Sequence, residues 1–268
     1  NRTSLTLFTA ILLCTTFFSL IPQVGSSLST ALTSSVEERP RFFVIDAKQE
    51  QIKDLEEQVN DKGAKLENIS PMIRGRVIKV NDIDFTKHSV INGDEKLKTD
   101  KNELKNSTVN LSYRSKLKQS EEIIEGIEFS GVYDSKDFSK PIELSVEKNY
   151  ASRRGIKLGD HIVFDVLGLE IETKVVNIRT VKWTEFVPNF FFILQEGAIN
   201  DAPKTILATI SSGDYDAQQM LIKLSDLFPS LTVIDVKSLF ETFADLVKHV
   251  TKITDNMSIY SIVIGLLM

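Results

Sequence analysis

No charged residue occurs from Thr3 to Val36, a run of 34 positions. A segment that long without a charge is poorly suited to a water-exposed surface. Its apolar centre, LTLFTAILLCTTFFSLI (Leu5–Ile21), would cross roughly 30 Å of hydrocarbon at about 1.5 Å per residue. A charge in such a helix would oppose insertion by about 2.5–3.5 kcal/mol, so the absence of any is meaningful. The segment is expected to be a membrane helix with Arg2 on the cytoplasmic side. A cleaved leader fits less well, because the run is too long and offers no convincing A-x-A site.

The other end carries a second pattern. Leu239, Phe243, Leu246, Val250, Ile253, Met257, Tyr260, Ile264 and Leu267 recur at alternating spacings of four and three. That is the 3.5-residue period of a helix with one continuous apolar seam. Up to Asp255 the other faces carry Glu241, Asp245, Lys248, Lys252 and Asp255, and beyond it no charge remains. One rigid helix is expected to leave water and enter the membrane with the seam Leu239, Phe243, Leu246, Val250, Ile253 and Met257 turned to a partner. The expected partner is the extension of the first helix, through Val24, Leu28 and Ala31 or Leu32. Starting at Asn1 and stopping inside IVIGLLM, the sequence is read as a fragment of a longer protein.

Between the ends lies a module of mixed α and β character. RFFVID, a helix from about Lys48 to Asn60 and MIRGRVIKV (Met72–Val80) form one strand–helix–strand unit. TILATI, a helix carrying Ala217, Met220, Leu221, Leu224 and Phe228, and LTVIDV (Leu231–Val236) form another. Two such units predict an α+β, split ferredoxin-like layer interrupted by a β-rich insertion. The expected boundaries are 1–36 for the first membrane helix and stalk, 37–82 and 204–236 for the two parts of the layer, 83–203 for the insertion and 237–268 for the second stalk. Within the insertion, Gly93–Ser107 is lysine-rich and nearly free of apolar residues, which predicts a mobile loop. HIVFDVL, LEIETKVVNIRTVKW and FFFIL read as strands of a small barrel or twisted sheet. Pro188 and Asn189 predict a turn, and Phe190–Leu194 a strand covered on both faces, because a continuous apolar run marks burial. The competing reading is an exposed lip for a lipid-like cargo.

A net charge of −5, with no basic stripe bearing interleaved aromatics, argues against a nucleic-acid partner. Cys14 is the only cysteine, so no intramolecular disulfide and no CxxC site exists. His88, His161 and His249 are scattered, and neither a G-x-S-x-G nor a P-loop occurs. No catalytic, cofactor or metal residue is therefore assigned. The pair Glu121 and Glu122 beside Arg114 is read as a surface ion-pair set.

PMIRGRV (Pro71–Val77, with Arg74 and Arg76), NLSYRSKL with SEEIIEG (Asn110–Gly126), GIKLGD (Gly155–Asp160) and RTVKWTEFVPNFFFIL (Arg179–Leu194) resemble the extracytoplasmic domain of FtsX-like ABC-transporter permeases, the MacB/LolC-type superfamily. The likeness is greatest to the YbbP-type permeases, in the second of their two periplasmic domains. Its most specific piece is the string holding Trp183, Pro188, Asn189, Phe190, Phe191 and Phe192. The resemblance implies a multi-pass protein of the bacterial inner membrane with this module in the periplasm. It implies a separate cytoplasmic ATPase that binds ATP and Mg, and no cofactor in this chain. Stalk helices would transmit ATP-driven motion to work on lipids, lipoproteins or other hydrophobic compounds, with a periplasmic hydrolase or carrier protein as a further partner. Arg74, Arg76, Arg114, Glu121, Glu122, Trp183 and Pro188–Phe192 are the candidate partner or cargo contacts. The main rival is the ligand-sensing domain of a membrane receptor, which also sits between two membrane helices. A secreted enzyme is the second rival.

Overall fold

The computed structural model describes residues 40–81, 83–84, 108–134 and 140–267, together with Thr16, Leu20, Gln23 and Ser27, all four helical. Most of the first predicted membrane helix, with Val24, Leu28, Ala31 and Leu32, lies outside the described residues, as does the lysine-rich segment Gly93–Ser107. Contacts divide the chain into two compact units, 43–233 and 1–42 with 234–268.

The larger unit is built on two strand–helix–strand passages. In the first, β1 (Phe42–Ala47) is followed by a 3-10 turn, α1 (Ile52–Asn60) and β2 (Leu66–Val80). Ile52, Leu55 and Val59, at helical spacing, are the buried face of α1. The second passage runs β10 (Thr205–Ile210), α3 (Ala217–Leu227) and β11 (Thr232–Asp235). Asp216 caps α3 by accepting from the amides of Gln218 and Gln219, while Met220, Leu224 and Phe228 face inward. The sheet runs in the order β11-β1-β10-β2, with β10 and β2 antiparallel.

Strand β2 is six residues longer than the sequence predicts, because LENISP joins it. Asn68 takes a positive φ of 54°, and the β10 register slips between Leu207 and Thr209, so an irregular strand absorbs Pro71. The second half of β2 enters a different structure. It pairs antiparallel with β4 (Thr108–Arg114), which pairs parallel with β9 (Phe192–Gln195). β9 pairs antiparallel with β6 (Ile142–Glu147), and β6 parallel with β8 (Leu169–Val181). β8 pairs antiparallel with β7 (His161–Val166), and β7 antiparallel with β2. The ladder closes on itself, so these six strands form a small barrel. β5 (Glu121–Gly126) adds to the far end of β8, and β3 (Ile83–Asp84) to the end of β2. A short helix, α2 (Lys148–Arg154), follows β6.

Alternation along the strands sends Ile73, Val77, Leu111, Leu144, Val146, Ile162, Phe164, Phe192 and Leu194 into one buried core. Phe164 meets Phe192 edge-on at 5.2 Å. Gly75 makes room on β2, since a Cβ there would lie 2.7 Å from Leu111 Cδ1.

In the smaller unit, α4 (Val236–Leu267) is one unbroken helix of 32 residues. Asp235 starts it, accepting from the amide of Ser238 at 2.9 Å and pairing with Arg41 at 2.6 Å. The expected continuity from Val236 past Asp255 is present. Among the described residues no helix is long and apolar enough to cross a membrane. The expected seam is not the shielded face of α4. Leu239, Phe243, Leu246, Val250 and Ile253 are 47–61% exposed, whereas Phe240, Ala244, Val247, Thr251 and Thr254 are half-buried or buried. The shielded stripe is offset from the seam by one residue, a shift of about 100° around the helix.

Candidate functional site

The segment between β8 and β9, Lys182 to Phe191, forms a lip at one end of the barrel. It contains the 3-10 turn Trp183–Glu185, then Phe186 with a positive φ of 53°, then the irregular stretch through Pro188 and Asn189. A bulky residue in the left-handed region persists only where its surroundings determine it. Hydrogen bonds fix the lip's backbone on either side of it. Lys118 Nζ donates to the Pro188 carbonyl at 2.9 Å, and Arg179 Nη2 donates to the Phe190 carbonyl. The Glu147 amide donates to the Phe191 carbonyl at 2.9 Å, and the Lys182 amide to the Ser120 carbonyl at 2.9 Å.

Arg179 has no exposed surface and is the largest fully buried side chain described. Its Nε meets Glu121 Oε1 at 3.1 Å, and its Nη1 donates to Ser145 Oγ at 3.1 Å. Ser145 Oγ donates to Asn177 Oδ1, and Asn177 Nδ2 donates to the Ile127 carbonyl at 2.8 Å. Glu121 Oε2 pairs with Arg114 Nη1 at 3.1 Å and accepts from the Lys118 amide at 3.0 Å. Glu147 is buried and caps α2, accepting from the amides of Asn149 and Tyr150.

Three cations (Arg114, Lys118 and Arg179) thus surround one buried carboxylate, Glu121, while the charge of Glu147 acts on Arg179 without a direct pair. The surplus positive charge is directed at lip carbonyls, the strong acceptors left within reach. Burial pushes the Arg179 guanidinium below its ordinary value, with Glu121 opposing. Arg114 falls to about 10, chiefly from burial, again opposed by Glu121. Lys118 falls to about 8, from burial first and from the like charge of Arg114 second.

Over this support the lip divides its aromatics. Phe190, Phe192, Ile193 and Leu194 are buried, while Phe191 is 37% and Trp183 44% exposed. Trp183 and Phe191 lie 5.4 Å apart between ring centres, and Phe191 stacks on Tyr150 at 4.7 Å. Beside them is an open cleft of about 530 Å³, lined by Glu147, Asn149, Ser152, Arg153, Trp183 and Phe191. Both polar atoms of the Asn189 side chain are buried without a hydrogen-bond partner among the described residues.

Two expectations need correction. Glu121 does not belong to a surface ion-pair set: alternation at the start of β5 turns it inward onto Arg179 and leaves Glu122 exposed. Phe190–Leu194 is not covered on both faces throughout, because β9 begins at Phe192 and Phe191 turns outward. Arg114, Glu121, Pro188 and Phe190 come together with Lys118, and Trp183 with Phe191. Arg74 and Arg76 are exposed on β2, where Arg76 pairs with Asp165 at 2.6 Å. GIKLGD has a structural explanation: Gly155 closes α2 at a φ of 64°, and Asp160 accepts from the Lys157 amide. Arg179, Lys118, Ser145 and Arg153 were not among the expected site residues. One available signal was an arginine in step with the inward positions of a β-branched strand, VNIRTV. Among the described residues no group of three or more His, Cys, Asp or Glu could hold a metal ion.

No family model matches the chain. It is 27% identical over 204 residues to the uncharacterized ABC transporter permease YbbP of Escherichia coli (strain K12), an alignment covering 76% of this chain and 22% of that protein. The chain therefore spans about a fifth of that relative's length. A solved domain from Porphyromonas gingivalis, described as part of a permease protein, is 10% identical with a TM-score of 0.28, over 73% of this chain and 89% of that domain. The sequence similarity is thus to an ABC transporter permease, over about three quarters of this chain.

Proposed function

We propose that this chain is the extracytoplasmic module, with flanking stalk and membrane helices, of the permease subunit of an ABC transporter of the FtsX-like, MacB/LolC kind. The observation that carries this reading is the 204-residue similarity to an ABC transporter permease. The sheet order β11-β1-β10-β2, built from two strand–helix–strand passages, supports a split ferredoxin-like layer, and the closed barrel fits the β-rich insertion. In this reading the chain carries no chemistry of its own. A cytoplasmic ATPase binds ATP and Mg, and its closure shifts the stalks as a two-state device. α4 suits transmission because a continuous helix carries a displacement that a flexible tether would dissipate.

The lip is the working surface. Exposed Trp183 and Phe191 beside Arg153 would meet a hydrophobic compound, a lipid or a periplasmic hydrolase or carrier protein. The cations below hold that surface in one shape, so binding need not order it. Purification of the tagged full-length protein from native membranes tests the assignment. An ABC ATPase subunit is expected to co-purify; recovery from the membrane-free fraction with no ATPase would overturn it.

A further inference from the structure

Asn149, Ser152 and Arg153 fall at i, i+3 and i+4 on α2, so one face of that short helix turns three polar side chains to the lip cleft. The rest of the lining is Glu147 with the aromatic pair Trp183 and Phe191. Polar and apolar surfaces therefore lie side by side in a space of about 530 Å³, the capacity of a small-molecule site.

The charges around this cleft do not balance. Glu147 is 1% exposed, and its two carboxylate oxygens accept from the amides of Asn149 and Tyr150, so it offers the cleft little. Arg153 is exposed, and no carboxylate among the described residues pairs with it. Its Nε donates to the Asn149 carbonyl at 3.2 Å, which steadies the side chain and leaves both terminal nitrogens to a ligand. Lys148 and Lys182, each next in sequence to a lining residue, are exposed as well. The stretch Lys148–Lys157 carries four cations and no carboxylate in a chain of net charge −5, a local reversal of sign.

We propose that the cleft binds a single-chain anionic amphiphile, with its carboxylate or phosphate on Arg153 and its apolar chain on Trp183 and Phe191. This rests on the lip being the working surface, and it narrows the ligands that surface takes. The guanidinium fork matches two oxygens of a carboxylate or phosphate at once. Aromatic faces alone would suit a quaternary ammonium head equally well, but Arg153, Lys148 and Lys182 repel a cation. Tyr150 stacks on Phe191 at 4.7 Å and meets Phe192 edge-on at 5.0 Å, so the apolar surface is set before a ligand arrives. The volume, in the lower half of the range for small-molecule sites, suits one chain rather than two.

The test uses the full-length protein in phosphatidylcholine nanodiscs with three probes that share one diazirine-bearing palmitoyl chain: the free acid, the lysophosphatidate and the neutral monoacylglycerol. Labelled peptides are identified by mass over a range of probe concentrations. Saturable labelling of peptides holding Asn149–Arg153 or Trp183–Phe191 is expected from the free acid, the lysophosphatidate or both, and not from the monoacylglycerol. Which anionic probe labels distinguishes a free fatty acid from a lipid headgroup as the source. Arg153→Gln should raise the half-saturating concentration about tenfold, and Arg153→Lys by less. Lys157→Gln, the same loss of charge outside the cleft, should change it by less than about twofold. Equal labelling by the monoacylglycerol, labelling indifferent to Arg153→Gln, labelling confined to other segments, or none at all would overturn the proposal. Failure of the permease reading would show separately, as absence of the ATPase from the purified protein whichever probes label.

Discussion

The charge cluster under the lip and the stripe along α4 invert the usual partition of side chains in opposite ways. One buries Arg179, Glu121 and Glu147; the other exposes Leu239, Phe243 and Leu246. They differ in whether this chain resolves the inversion. Each buried charge beneath the lip has ionic or hydrogen-bond partners in the chain, so the cluster supports and shapes its own surface. The α4 stripe finds no comparable cover within the described residues, so it calls for something outside them. A satisfied inversion therefore marks positioning, and an unsatisfied one marks a face that needs a cover.

The largest expected effect would break the first half of that comparison. Arg179→Met leaves Glu121 less compensated and the Phe190 carbonyl without its donor, and should lower stability by about 3–5 kcal/mol in urea denaturation. Adding Glu121→Leu should deepen that loss, because it also strips buried Arg114 of its carboxylate and the Lys118 amide of its acceptor. If the single variant is as stable as the parent, the cluster supports nothing.

Neighbouring phenylalanines sharpen the same point. Phe192→Ala should cost about 3–5 kcal/mol by emptying the barrel, whereas Phe191→Ala should cost about 1 kcal/mol through the lost stack on Tyr150. Equal losses by thermal unfolding would contradict the division of the lip into inner and outer faces.

Lys118 predicts a pH effect of definite sign. Its folded pKa of about 8 lies below its ordinary 10.5, so between those values the unfolded chain holds the extra proton. This residue's contribution to stability should therefore rise as pH climbs from about 8 to 10.5. The stability difference between the parent and Lys118→Met should shift in the parent's favour across that window. A difference that stays flat, measured by denaturation at both ends, would remove Lys118 from the buried cluster.

The smallest change in stability is expected on α4. Leu246→Asp with Val250→Asp should move the stability of this 268-residue chain by no more than about 1 kcal/mol, as exposed substitutions do. A larger loss would mean that the stripe is covered within this chain.

These contrasts also show which features were legible in the residues. α1, α3 and the run of α4 announce themselves by apolar spacing, since a helix repeats its buried face locally. The first half of β2 was hidden because Asn68, Ser70 and Pro71 read as loop, and only pairing with β10 holds them extended. Arg179 and Glu121 stand 58 residues apart, and nothing local to either specifies the β5–β8 register that joins them. FFFIL, being uniformly apolar, carries no alternation to reveal that Phe191 alone turns outward. The seam of α4 was readable as a seam, but which of its two adjacent stripes faces this chain depends on tertiary packing.

Whether nucleotide-driven motion reaches the lip tests the account most directly. The full-length protein would be reconstituted with its ATPase, with Cys14 and any other native cysteine replaced by serine and an environment-sensitive dye placed at Trp183→Cys. Emission is predicted to differ between the nucleotide-free and ATP-bound states, and the difference to vanish when Leu246→Asp and Val250→Asp are added. Identical emission in both nucleotide states would contradict transmission along α4, and a change that survives the double substitution would place the route elsewhere.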